Sequence, residues 1–190
     1  MASIVREIKR IPVQKAVFGI RHGQAWHNIL YEKFGKKAFS EYRDTTLTAY
    51  GMQQAVYAHP PQVDIVFVSP CLRTLQTASL MFPKTKKVAI ECLKEYPQDI
   101  EICNRRSSKS FLQQCFPDID FSDLVDEEQD WPNQSTTHAQ NKERIQTIVS
   151  MCQESTIALV THSTWLKYYI NNDLTSEPEL EHCVAYSLKI

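Results

Sequence analysis

The chain has 190 residues, a length that suits one domain. Its hydrophobic content of 43% and charged content of 23% are those of an ordinary globular protein. The formal net charge of -1 excludes the broad basic field of most nucleic-acid-binding proteins, so no nucleic-acid partner is expected.

The first residues lack the long apolar core of a secretory signal. No stretch approaches the ~18 apolar residues of a membrane span. These patterns predict a cytoplasmic protein that has no membrane partner. The six cysteines show neither a CxxC pair nor zinc-like spacing, which favours reduced, mostly buried thiols.

The first half of the chain alternates between strand and helix patterns. An apolar run at residues 15–20 predicts a buried strand. Helical character follows from Gln24 to about Phe39 and breaks at Gly35. Thr48 is the candidate cap of the next helix. A second strand is predicted from Asp64 to Val68, and its lack of polar alternation favours a central position.

The second half continues this alternation around one irregular segment. Pro70 begins a helix, since proline is tolerated in the first turn, and residues 87–90 form a short strand. Residues 93–133 are irregular and partly acidic, which predicts an inserted cap. The remaining predictions are a helix at residues 139–152, a strand at 156–161, a helix beginning at Trp165 and a strand at 184–188.

This alternation predicts one three-layer α/β/α domain that spans residues 1–190. Its central sheet is expected to be mainly parallel, with some mixed character. The helices are expected to cover both faces of the sheet.

Basic side chains stand where three of the predicted strands end. Arg21 and His22 follow the first strand, Arg73 lies just beyond the second, and His162 follows the strand at 156–161. Open α/β sheets build their ligand sites at the carboxyl ends of their strands. The pattern therefore predicts a site for an anionic, phosphorylated substrate.

Such a site has the groups that phosphoryl transfer without a metal needs. The reaction needs donors for the phosphoryl oxygens, a nucleophile in line with phosphorus and an acid for the leaving oxygen. Arginines supply planar clamps, a neutral histidine can be the nucleophile, and a second, charged histidine can be a donor. The sequence has no Walker-type loop, no HExxH motif and no convincing metal-ligand pair, so a metal mechanism is the weaker alternative and no cofactor is expected.

Four blocks of the sequence resemble the histidine phosphatase superfamily, whose fold is called phosphoglycerate-mutase-like. The resemblance covers roughly residues 15–170 in the family's order. The matching residues are Arg21-His22-Gly23 with Asn28, then Asp44, Leu47, Thr48, Gly51, Gln54 and Ala55, then Ser69 to Ala78, and finally Val160-Thr161-His162. One departure is Ser163, which stands where the family usually has glycine; activity is expected to survive it.

The resemblance implies a role for each basic residue. His22 is the nucleophile that becomes phosphohistidine. Arg21, Arg73 and His162 complete the phosphate pocket, and Asn28 lines it. Cys71 is the nearest rival nucleophile, but it has no obvious base beside it in the sequence.

The sequence offers two candidates for the general acid and two interpretations of a basic loop. The family acid commonly lies in a Leu-x-Glu motif after the third strand, which implies Glu95, with Glu91 as the rival. Arg105 and Arg106 lie where a smaller branch of the family is less basic. They are candidates for binding a second phosphate or an acidic substrate. The alternative is that both arginines simply lie in a solvated surface loop.

The implied function is a metal-independent phosphatase of the histidine acid phosphatase type, acting on phosphomonoesters through a phosphohistidine. The alternatives are a phosphoglycerate-mutase-type phosphotransferase and a binding or scaffold protein with little turnover. The expected partner is a phosphorylated small molecule or a phosphoprotein, and a homodimer is left open. Substrate identity does not follow, because the shared chemistry reads only the phosphoryl group.

Overall fold

The computed structural model describes residues 15–96, 101–125, 137–173 and 180–190. The strands are β1 (Ala16–Arg21), β2 (Ile65–Val68), β3 (Lys86–Ala89), β4 (Ile119–Asp120), β5 (Thr156–Thr161) and β6 (Ala185–Leu188). The α-helices are α1 (Trp26–Phe34), α2 (Lys37–Glu41), α3 (Ala49–Tyr57), α4 (Leu72–Met81), α5 (Lys109–Cys115), α6 (His138–Met151) and α7 (Ser163–Asn171). Short 3-10 turns cover Glu91–Leu93 and Ile102–Asn104.

The six strands form one mixed sheet in the order β4-β3-β2-β5-β1-β6. All neighbouring pairs are parallel except β1 and β6, which run antiparallel. Two of the central strands, β2 and β5, have no exposed residue, because helices cover both of their faces. The predicted fold class is therefore confirmed.

The two sides of the sheet carry separate hydrophobic cores. Val66 and Val68 of β2 point into the core that contains residues of α3, α4 and α5. The alternate residues, Ile65 and Phe67, point into the core that contains residues of α6 and α7. This alternation follows from the two-residue period of a strand. The two cores therefore lie on opposite faces of the sheet.

Short sequence patterns predicted the positions of most helices and strands correctly. The Thr48 hydroxyl accepts a hydrogen bond from the Gly51 N–H at 3.0 Å, which confirms it as the cap of α3. Gly35 ends α1 with a φ of 61°, a left-handed value that favours glycine. Helix α4 begins at Leu72, two residues later than the position of Pro70 predicted, because Cys71 is its capping residue.

The predicted cap segment contains structure that the sequence pattern did not indicate. Strand β4 pairs with β3 and extends the central sheet, and Phe121 and Leu124 pack into the same core as α5. A two-residue strand is too short to show a period, so this part was predicted as irregular. Residues 97–100 and 126–133 of the segment lie outside the described residues. The interpretation of the segment as a cap stays a prediction.

Two glycines bring the loop after β1 against the start of α3. A Cβ on Gly51 would lie 2.0 Å from the carbonyl oxygen of Gln24, and one on Gly23 would lie 2.5 Å from the carbonyl oxygen of Gly51. Neither contact is sterically possible, so both positions require glycine. This close approach places the loop that carries His22.

Within the described part of the chain, no helix has the length and apolar character needed to cross a membrane.

Candidate active site

The strand-end residues converge on one cavity of about 770 Å³ at the carboxyl edge of the sheet. Strands β1, β2, β3 and β5 run parallel, so the segments that follow them meet at that edge. Four of the predicted site residues line the cavity: Arg21, His22, Asn28 and Glu95. Arg73 and His162 are fully buried close to His22.

His22 is held with one ring nitrogen directed at the backbone. Its Nδ1 lies 2.7 Å from the carbonyl oxygen of Gly23. A carbonyl only accepts, so Nδ1 carries the proton and Nε2 keeps its lone pair. Burial, followed by the charge of Arg73, lowers the pKa of His22 well below its ordinary value. The free protein therefore holds a neutral imidazole whose Nε2 is nucleophilic.

Arg73 places a positive charge deep beneath the cavity. Its guanidinium donates to the carbonyl oxygen of Cys103 at 2.8 Å and to Oδ1 of Asn104 at 3.0 Å. Both acceptors are neutral, and the Nε of Arg73 has no acceptor among the described residues. Within the same residues, no carboxylate forms an ion pair with this side chain. A buried charge that no carboxylate pairs with directly is costly, so this guanidinium favours an anion beside it.

His162 adds a second buried donor. Its ring meets the ring of His22 edge-on, with centroids 5.2 Å apart. Nε2 lies 2.8 Å from the Ser69 hydroxyl, while the buried Nδ1 has no partner among the described residues. A neutral tautomer that accepts from Ser69 carries its proton on Nδ1 and can donate it to an anion.

The sequence predicts a charged histidine as this donor, but His162 is not charged in the free protein. Burial, followed by the charge of Arg73, lowers the pKa of His162 well below its ordinary value. The donor is therefore a neutral imidazole until an anion binds beside it.

Glu95 packs against the N-terminal end of α7 and lines the same cavity. Its carboxyl oxygens accept from the backbone N–H groups of Tyr96 at 2.9 Å, Trp165 at 3.1 Å and Thr164 at 3.2 Å. Burial raises the pKa of Glu95 despite these hydrogen bonds and the charge of Arg73, which oppose the shift. The carboxyl group therefore keeps a proton at higher pH than an ordinary glutamate.

Arg21 and Asn28 are fixed by backbone contacts at the rim of the site. Arg21 donates through Nη1 to the carbonyl oxygen of Leu180 at 2.7 Å. The Asn28 Oδ1 accepts from the Ala25 N–H at 2.9 Å and holds the first turn of α1. Both side chains line the cavity, as the resemblance implied.

The rival acid and one arginine of the basic loop are engaged with each other. Glu91 Oε1 lies 2.6 Å from Nη2 of Arg106, and Oε2 lies 3.2 Å from the ammonium of Lys94. Arg106 is 4% exposed and also donates to the carbonyl oxygens of Ser107 and Val125. Neither Glu91 nor Arg106 lines the cavity, and neither does Arg105. The geometry therefore does not support Arg106 as a substrate ligand or Glu91 as the acid.

Replacing Arg106 is expected to weaken the fold rather than substrate binding. Arg106→Ala leaves Glu91 without its main partner, which should cost about 3 kcal/mol of unfolding free energy. Chemical denaturation measures this loss, and Lys84→Ala, which removes an exposed charge, is the matched control. Unchanged stability together with a raised KM for multiply charged substrates would restore Arg106 as a ligand.

Two further histidines, which the sequence did not single out, lie beside His22. The rings of His27 and His182 each lie 5.7 Å from the ring of His22. The Nδ1 of His27 lies 2.7 Å from the Thr45 hydroxyl, and burial lowers its pKa well below its ordinary value. His27 directly precedes Asn28 in the first turn of α1, and that adjacency was the available signal.

No local sequence pattern indicates His182, because its position depends on a strand pairing between segments distant in sequence. Its Nδ1 donates to the carbonyl oxygen of His22. The next residue, Cys183, donates its N–H to the carbonyl oxygen of Arg21 at 2.9 Å. The segment before β6 therefore fixes the backbone at Arg21 and His22.

Cys71 does not have the properties of a nucleophile. It is fully buried, and burial raises the pKa of its thiol to about 12. A thiol with that pKa is not ionised near neutral pH, and the thiolate is the reactive form. All six cysteines are free, and four of them are buried.

Comparison with known proteins agrees with this fold and with the order of the motifs. The family model described as histidine phosphatase superfamily (branch 1) matches residues 17–184. The chain therefore belongs to the histidine phosphatase superfamily.

Its relatives in sequence carry mutase or mutase-like names. It is 30% identical to phosphomutase-like protein 3 of Candida albicans over 62% of this chain and 45% of that protein. It is 27% identical to phosphoglycerate mutase-like protein 1 of Arabidopsis thaliana over 83% of this chain and 71% of that protein. The chain thus spans less than half the length of the Candida relative.

Solved structures share the fold at low sequence identity. A putative alpha-ribazole-5'-P phosphatase from Escherichia coli matches with a TM-score of 0.57 and 20% identity, covering 93% of this chain and 91% of that one. The ecdysone phosphate phosphatase from Bombix mori, in complex with tungstate, matches with a TM-score of 0.60 and 15% identity, covering 90% and 88%. At these identities the likeness establishes the fold alone.

Proposed function

We propose that the protein is a metal-independent phosphatase, of the histidine acid phosphatase type, that hydrolyses phosphomonoesters through a phosphohistidine on His22. One observation carries the proposal: the buried charge of Arg73 has no carboxylate partner among the described residues and lies near a neutral, nucleophilic imidazole. A phosphoryl group supplies the missing negative charge, and Nε2 of His22 supplies the attack.

The first step transfers the phosphoryl group to the protein. Nε2 of His22 forms a bond to phosphorus while the bond from phosphorus to the ester oxygen breaks. Glu95 gives its proton to that oxygen, which leaves as the alcohol. Arg21, Arg73 and Nδ1 of His162 donate to the three phosphoryl oxygens and stabilise their charge in the transition state.

The second step regenerates the free histidine. Water attacks phosphorus, the bond to Nε2 breaks, and the deprotonated Glu95 accepts a proton from the attacking water. Inorganic phosphate is then released. The raised pKa of Glu95 suits a group that must donate a proton in the first step and accept one in the second.

A phosphotransferase is the second candidate, because relatives of the chain carry phosphoglycerate mutase names. A mutase needs the phosphohistidine to survive until a second acceptor replaces water. Chasing labelled enzyme with 3-phosphoglycerate separates the two: transfer of label to the glycerate indicates a mutase, and release of inorganic phosphate indicates a phosphatase. A binding or scaffold protein with little turnover would show neither, and the intact set of site residues argues against it.

Activity is expected to persist in the presence of a chelator. Among the described residues, no group of three or more histidine, cysteine, aspartate or glutamate side chains is arranged to hold a metal ion. Hydrolysis of 4-nitrophenyl phosphate in excess EDTA should therefore match the untreated rate. Loss of turnover on chelation, with recovery after adding one divalent ion, would contradict the proposal.

The expected substrate, assembly and location of the protein remain to be tested beside this function. The substrate is proposed to be a phosphorylated small molecule or a phosphoprotein, and assembly as a homodimer stays a prediction. A cytoplasmic location also stays a prediction.

A further inference from the structure

A series of rings leads from the nucleophile to the rim of the cavity. The ring of His22 lies 5.7 Å from that of His27, which lies 6.2 Å from Phe39. Phe39 stacks on Tyr31 with centroids 4.9 Å apart and planes 8° apart. All four side chains line the cavity, and Tyr31 is 45% exposed. One wall of the cavity is therefore aromatic from the reacting nitrogen to the solvent.

A further ring lies next to the group proposed as the acid. Tyr96 directly follows Glu95 and lines the same cavity. Its ring centroid lies 3.8 Å from that of His138, which stacks on Tyr168 at 4.4 Å. These contacts hold Tyr96 in place. Because Glu95 protonates the leaving oxygen, the alcohol half of the substrate must lie beside this ring during the reaction.

The charges outside the phosphate pocket do not favour a second anionic group. Glu32 and Glu101 line the cavity together with Lys167, so the acidic side chains outnumber the basic one. A carboxylate or second phosphate on the alcohol half would lie beside Glu32 and Glu101, with Lys167 as the lysine that lines the cavity and Lys36 near Glu101. An uncharged ring meets apolar surface, and aromatic pairs are attractive at centroid distances of about 4.5–7 Å.

We propose that the alcohol half of the substrate is an uncharged, planar aromatic or fused-ring group that packs against Tyr31, Phe39 and Tyr96. The inference rests on the proposed phosphatase function and names its substrate class, a small aromatic phosphomonoester. The cavity volume of about 770 Å³ lies in the range that encloses a small organic ligand.

The test compares two esters whose leaving groups have similar acidity, 2-naphthyl phosphate and phenyl phosphate. Because their chemical steps are alike, the ratio of their kcat/KM values reports contacts made by the second ring. The wild-type protein is expected to favour the naphthyl ester about tenfold, the size of effect that one or two ring contacts produce. A ratio near one would overturn the inference.

Variants locate the preference in the cavity. Tyr31→Ala and Phe39→Leu should each lower the ratio to about two, because the naphthyl ester loses more contact with the wall than the phenyl ester does. Phe39→Leu keeps an apolar side chain of similar size, so the test does not depend on a cavity-forming change. Tyr50→Ala is the matched control, since Tyr50 is 58% exposed and does not line the cavity. Equal losses on both esters in the cavity variants would contradict the inference.

The two proposals fail in different ways. If His22 is labelled during turnover but the two esters react equally, the substrate class is wrong and the phosphatase function stands. If His22 is never labelled, the phosphatase mechanism is wrong, and calorimetric binding of both esters to His22→Ala tests the aromatic wall without turnover. Faster hydrolysis of a phosphopeptide or of 3-phosphoglycerate than of 2-naphthyl phosphate would also overturn the substrate class.

Discussion

A labelled phosphoryl group is expected on His22 when the protein is quenched in alkaline detergent during turnover of a 32P-labelled phosphomonoester. The label should be lost in acid and persist in base, because a phosphoramidate bond to an imidazole has that stability. The expectation follows from the neutral Nε2 of His22 and from the three donors around it, Arg21, Arg73 and His162. His22→Ala should lose both the label and the activity.

Cys71→Ala is the matched control for this experiment. Cys71 is the rival nucleophile, and its thiol is not ionised near neutral pH. The variant should therefore retain the label. Label that survives acid, or that persists in His22→Ala, would contradict the phosphohistidine mechanism.

Replacing Glu95 with glutamine is expected to slow hydrolysis of alkyl phosphates by about 10²–10⁴. Glutamine keeps one oxygen for the backbone N–H groups of Tyr96 and Trp165, loses the hydrogen bond from Thr164, and cannot give a proton to the leaving oxygen. 4-Nitrophenyl phosphate should be affected much less, since its phenolate leaves without protonation. Rates on both substrates measure the difference.

The pH dependence of the wild-type protein gives a second measurement of the same role. Burial raises the pKa of Glu95, so the protonated acid persists above the ordinary range of a glutamate. The first step on alkyl phosphates should slow as the pH rises through that raised value, and Glu95→Gln should lose this limb of the profile. Glu91→Gln is the control and should mainly lower stability. Equal losses on both substrates, or a larger kinetic loss from Glu91→Gln, would remove Glu95 from the role.

The residues that sequence reasoning placed correctly share a local signal. Arg21 and His22 end an apolar run, and in a mainly parallel sheet the ends of such runs share one edge. Thr48 was identified as a cap from its own neighbours in the sequence. In these cases, short-range patterns were sufficient.

The residues that it misjudged depend on contacts distant in sequence. Arg106 lies in a loop that looks solvated or ligand-binding, yet it is buried against Glu91 and the carbonyl oxygen of Val125. His182 reaches the backbone of His22 because the strand that follows it, β6, runs antiparallel beside β1. A sequence pattern does not distinguish a buried arginine from an exposed one when both stand in irregular segments.

The neutral surroundings of Arg73 link catalysis to stability. Among the described residues, its guanidinium donates only to the neutral oxygens of Cys103 and Asn104, so the free protein carries the cost of a buried charge. An anion that neutralises this charge binds the folded state and not the unfolded chain, so it shifts the folding equilibrium toward the native protein. Part of the affinity for a phosphoryl group is thus relief of an instability that folding itself creates. The same linkage is expected to make inorganic phosphate, the product of the proposed reaction, both an inhibitor and a stabilising ligand.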